Sequence, residues 1–206
     1  MTFSDWLSNN WIEIFGAVTG IIYVFLEIRQ NLWLWPVGIV TSGVYIWVFF
    51  TGKLYADMSL QGYYLIISVM GWYWWAKGEG RKAQGTGQKE QGGGQNNKLR
   101  VTRLQLRTGI VLAGVYAMLH LTMWFVLSRL TDSLVPGWDS FITALSIIAT
   151  WMLARKIYEH WYLWIIVNFV ASVLFFTRGL YPTVILYLVY FMMSFAGLKA
   201  WKRTLQ

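Results

Sequence analysis

Apolar runs of about 17 to 20 residues follow one another along almost the whole chain. A run of that length crosses the roughly 30 Å hydrocarbon core of a bilayer at about 1.5 Å per helical residue. Seven such runs are predicted as helices: Trp11–Ile28, Leu32–Phe50, Met58–Ala76, Gly109–Leu127, Trp138–Leu153, Trp161–Thr177 and Leu180–Leu198. The fold class that follows is an all-α integral membrane protein of seven transmembrane helices, with residues 1–206 forming a single transmembrane domain. Composition agrees, since 57% of the residues are hydrophobic and a soluble domain rarely goes far beyond half. Pro36 and Pro182 fall near the starts of the second and seventh runs, where a missing N–H costs nothing. Met1–Asn10 holds Asp5 and no Lys or Arg, so the first run reads as a permanent helix and not as a cleaved signal.

The net charge of +8 does not point to nucleic acid, because the Lys and Arg residues sit between the apolar runs. Fourteen of the 17 fall in alternate loops and three in the others. The positive-inside rule places the richer side in the cytoplasm, with the N-terminus outside and the C-terminus inside. The expected location is a bacterial inner membrane. The segment GEGRKAQGTGQKEQGGGQNNK cannot bury enough apolar surface to offset its ordering entropy. Residues 77–108 are therefore read as a flexible cytoplasmic loop without chemistry of its own. Cysteine is absent, which excludes disulfides, thiol catalysis and Cys-based metal sites. No cluster of acids or histidines suggests catalysis, a resident metal or a cofactor.

The chain repeats itself. FFTGKLY at Phe49–Tyr55 matches FFTRGLY at Phe175–Tyr181, an offset of 126 residues. The same offset, without gaps, pairs Arg29 with Arg155, Trp35 with Trp161, Tyr64 with Tyr190, Gly71 with Gly197 and Trp75 with Trp201. The expected architecture is 3+1+3: a three-helix repeat over 11–76, a linker helix over 109–127, and a second repeat over 138–198. The linker helix recrosses the membrane, so the two repeats run parallel. SWEET-type transporters use such repeats, with the substrate site between halves near the midplane.

Strongly polar residues within apolar helices are costly and therefore informative. Asn168 falls near the middle of the sixth run and Gln61 one turn into the third; Ser42, Thr143 and Ser146 are weaker candidates. Amides offer donors and acceptors to a neutral polar solute, although they also bond neighbouring helices. Trp161, Trp164 and Asn168 are spaced i, i+3 and i+7, on one helix face. Two indoles with an amide deeper on the same stripe suit a flat heterocycle, and indole faces attract a ring cation. Trp161 also fits an interfacial belt. Trp35 and Trp33 frame the start of the second helix, and Tyr45 lies deeper. Glu13, Glu27 and Asp57 all sit near helix ends, which favours a facilitator without ion coupling. His120 reads as a hydrogen-bonded structural histidine, and Gly16 with Gly20 as a close-packing pair.

At these residues the chain resembles the PnuC family of bacterial vitamin-precursor transporters. The matching stretches are NLWLWPVGI with Tyr45, KLYADMSLQGYYLIISVMGWYWW, TALSIIATWMLARKIYEHWYLWIIVN and RGLYPTVILYLVYFMMSFAGLKAWK. The resemblance implies a SWEET-like fold, a homotrimer, and facilitated diffusion of nicotinamide riboside made directional by a cytoplasmic kinase. It maps the family's tryptophan motif onto Trp161, Trp164 and Asn168, and its third-helix glutamine onto Gln61. Relatives carry thiamine, which stays open as the alternative; a receptor or scaffold without transport is the remaining one.

Overall fold

The structure, a computed structural model, describes residues 3–53, 55–77, 99–130 and 135–205. The described residues form seven helices: α1 Phe3–Ile28, α2 Leu34–Thr51, α3 Tyr55–Lys77, α4 Leu106–Leu130, α5 Pro136–Ala154, α6 His160–Thr177 and α7 Tyr181–Lys202. Each predicted run corresponds to one of them. Pro136 and Pro182 stand in the first turns of α5 and α7, where proline's fixed φ is already helical. Six helices are long and apolar enough to cross a membrane. The exception is α3, which has the length at 23 residues but carries Asp57, Ser59 and Gln61 in its first turns.

Among the described residues, α1, α2, α3, α5, α6 and α7 form a closed ring, each packed on the next in that order and α7 returning to α1. Helix α4 lies outside the ring and packs on α5 alone. It exposes Ile110, Val111, Met118, Leu121, Trp124 and Phe125. In water this surface would be a liability; in hydrocarbon it is ordinary.

The offset of 126 residues holds at the level of backbone geometry. It carries the bounds of α2 onto those of α6, and the starts of α3 and the ends of α1 onto those of α7 and α5. Gln30 and Lys156 both take left-handed backbone, with φ of 51° and 52°. Their flanking turns are closed by the same bonds: Asn31 N to Leu26 O and Ile157 N to Met152 O, both 2.9 Å. Lys53 at φ 57° corresponds to Gly179 at φ 72°.

One end of the ring holds the densest packing. Trp35, Trp75, Trp161 and Trp201 are buried there with Leu34, Leu153 and Tyr158. Trp75 donates to Ala154 O at 3.2 Å and Trp201 to Glu27 O at 3.0 Å. Trp35 and Trp161 lie flat over Gly71 and Gly197, where a Cβ would overlap the indole. The glycine-rich core of the long inter-helix loop, residues 78–98, lies outside the described residues. The end of that loop is built into the fold: Thr102 bridges Ile157, Val101 is buried, and Leu104 N donates to Glu159 Oε2 at 2.7 Å.

Candidate functional site

The ring encloses a cavity of about 320 Å³, lined by all six of its helices and by no residue of α4. That volume falls in the range of small-molecule sites. Four of the seven residues expected at a site line it: Trp161 and Trp164 from α6, Asn168 one turn deeper, and Gln61 from α3. The i, i+3, i+7 stripe of α6 thus faces inward, and the glutamine reaches the same space from the other half.

These groups keep hydrogen-bonding capacity in reserve. The indole N–H groups of Trp161 and Trp164 are buried without a protein acceptor. Asn168 donates to Ser194 Oγ at 3.1 Å, and Ser194 in turn donates to Tyr190 O at 2.8 Å. This relay fixes the plane of the amide while its oxygen and second N–H are left for a solute. Tyr23, Tyr64, Tyr187 and Tyr190 complete the aromatic wall. Ser146 and Thr150 line the α5 side with hydroxyls turned back onto Ile142 O and Ser146 O, at 2.8 Å each.

The other three expected residues are placed elsewhere. Trp35 is fully buried behind the wall, edge-on to Trp75 at 5.3 Å. Its position repeats that of Trp161, but on α2 the next turn presents Gly38, covered by Tyr23 and Ser68, where α6 presents Trp164. Tyr45 rests on Gly16, stacks on Phe49 at 5.6 Å and donates weakly to Ile12 O at 3.4 Å. Thr143 is half-buried and does not line the cavity, whereas its neighbour Ile142 does. His120 bonds Ser140 at 3.1 Å and stacks on Tyr116 at 5.8 Å, well outside the ring.

The cavity also holds an ionisable group that the sequence reading set aside. Glu27 lies in the last turn of α1, yet it is only 2% exposed and lines the cavity. Its carboxylate meets His160 Nε2 at 3.1 Å. The premise that all carboxylates sit harmlessly at helix ends therefore does not hold for Glu27. Hydropathy gave no sign of it, because a carboxylate near the end of an apolar run looks the same whether it faces headgroups or a cavity.

The comparisons with known proteins bear on the whole of this arrangement. A model of the nicotinamide mononucleotide transporter family matches residues 10–203. The nicotinamide riboside transporter PnuC of Escherichia coli is 25% identical over 93% of this chain and 85% of its own length. The riboflavin/roseoflavin transporter RibM of Streptomyces davaonensis is also 25% identical, over 93% of this chain and 84% of its own. PnuC of Neisseria mucosa is 26% identical over 95% and 73%. The crystal structure of the vitamin B3 transporter PnuC superposes with a TM-score of 0.69 at 22% identity, covering 96% of this chain and 83% of that one. With its helical ring, its central cavity and a family match running from α1 to α7, this chain belongs to the PnuC family of membrane transporters, and it is not an enzyme.

Proposed function

We propose that the protein carries nicotinamide riboside across a bacterial inner membrane by facilitated diffusion, with phosphorylation by a cytoplasmic kinase trapping the solute. The observation that carries this reading is the convergence of two indoles with free N–H groups, Trp161 and Trp164, and two amides, Asn168 and Gln61, on one cavity. An indole wall suits a flat heteroaromatic ring, and the amides match a carboxamide and ribose hydroxyls. Two family relatives carry nicotinamide riboside in their names. The proposed architecture is 3+1+3, two parallel SWEET-like repeats joined by α4 with the cavity at their seam. It is supported by the coincidence of helix bounds and turn geometry under the offset of 126 residues. The distribution of Lys and Arg supports an N-terminus outside and a C-terminus in the cytoplasm, and the family resemblance implies a homotrimer.

Thiamine is the second reading, since it too is a flat cationic heteroaromatic with a polar tail. Calorimetric titration of the purified protein with nicotinamide riboside, thiamine and riboflavin separates the cases. The riboside is expected to bind tightest, and tight thiamine binding with none for the riboside would sink the first choice. Uptake into vesicles is expected to persist without proton or sodium gradients. A receptor or scaffold predicts that Asn168→Leu leaves solute binding intact, whereas a solute-binding amide predicts a loss of about tenfold or more.

A further inference from the structure

Every residue lining the cavity is neutral or phenolic except Glu27. Its surroundings fix how that charge is held. His160 is fully buried and does not line the cavity. Its Nδ1 lies 2.7 Å from Ile157 O, and a carbonyl only accepts, so Nδ1 carries a proton. Nε2 then faces Glu27 Oε1 at 3.1 Å with one proton between them. The imidazole is flanked by two indole rings, Trp201 at 4.6 Å and Trp161 at 4.8 Å between centroids. Around the pair, Tyr23 lies one turn back on α1, Trp201 donates to the Glu27 carbonyl at 3.0 Å, and Lys156 sits over Trp75 at 4.2 Å. The pair thus shares one proton, with its imidazole end buried among indoles and its Glu27 end lining the cavity.

We infer that Glu27 is the counter-charge that selects a cationic heteroaromatic ring, with His160 as its positioning residue. The inference rests on the cavity being the solute site. Desolvating a ring cation is expensive unless an opposite charge meets it, and no other residue of the lining supplies one. A pyridinium or thiazolium ring gains from the carboxylate; an uncharged ring of the same shape does not.

The test compares each cation with its neutral isostere: nicotinamide riboside against its dihydro form, and thiamine against its neutral thiophene analogue. The wild-type protein is expected to prefer the cation by about tenfold or more. Glu27→Gln keeps a hydrogen bond to Nε2 but not the charge. It is expected to bring the ratio close to one by weakening the cation far more than the neutral form. Should that variant not assemble, Glu27→Asp retains the charge one methylene further back, and the ratio must fall while staying above one. A wild-type ratio near one, or a ratio that neither variant changes, overturns the inference. Failure of the wild type to bind either cation overturns the reading of the cavity as well.

Discussion

Trp161 belongs to the core and to the cavity wall together. Its ring is fully buried against Gly197 and Trp201, yet the residue lines the cavity. A methyl group at position 197 would enter the space the indole occupies, as one at 71 would for Trp35. Overpacking of this kind costs about 1–3 kcal/mol. Gly71→Ala and Gly197→Ala should both lower the unfolding temperature in detergent, but only Gly197→Ala should also weaken solute binding, because Trp35 does not line the cavity. Equal binding defects would mean that the first indole also reaches the solute. The contrast marks where sequence reasoning stops at this scale. Helical spacing is enough to put Trp161, Trp164 and Asn168 on one face, because 3.6 residues per turn dictates it. Nothing in the spacing says that the matching face of α2 lines the cavity with Gly38 and Ser42 and leaves Trp35 behind it. Nor does it reveal Glu27, whose partner His160 stands 133 residues away.

The elements were legible because each apolar run is bounded by polar segments, and within the two repeats the offset fixes the short turns twice over. Where the halves differ, the better residue is evident. Position 179 is glycine and its counterpart 53 is lysine, both in left-handed backbone. A side chain there costs about 1–2 kcal/mol that glycine avoids. Lys53 is exposed, so little packing is lost on its removal. Lys53→Gly should therefore raise the unfolding temperature and Gly179→Lys should lower it; a fall in both would show that the Lys53 side chain contributes more than the turn. Helix α4 was recognised as a membrane-length run, but its place outside the ring depends on packing with α5 that no local pattern encodes. The same holds for residues 99–105. Their composition continues that of a solvated loop, yet Val101 and Thr102 dock on the α5–α6 turn through a backbone bridge.

At the scale of the molecule, the correspondence between halves extends into the cavity itself. Tyr64 and Tyr190, and Ser68 and Ser194, are paired lining positions of the same residue type. Other lining pairs have diverged: Gly38 with Trp164, Ser42 with Asn168, Gln61 with Tyr187. The scaffold has stayed symmetric while the binding groups have not, and this is the form an asymmetric solute requires, with an aromatic ring at one end and a polar tail at the other. The large indole and the deeper amide belong to α6, whereas the second amide belongs to α3. A solute held by both therefore spans the two halves and ties them to each other. The energetic signature is coupling. Asn168→Leu and Gln61→Leu each remove hydrogen bonds worth about 0.5–1.5 kcal/mol, and with a common rigid ligand their effects on binding should not add. Groups that share no partner add within about 0.3–0.5 kcal/mol, so the cycle has a clear threshold. Measured on affinity for nicotinamide riboside, a coupling above that threshold is expected between Asn168 and Gln61. None is expected between Asn168 and Thr143, which lies off the cavity. Strict additivity of the two amides would mean that the solute rests on one half alone, and that the opposite half serves only as its wall.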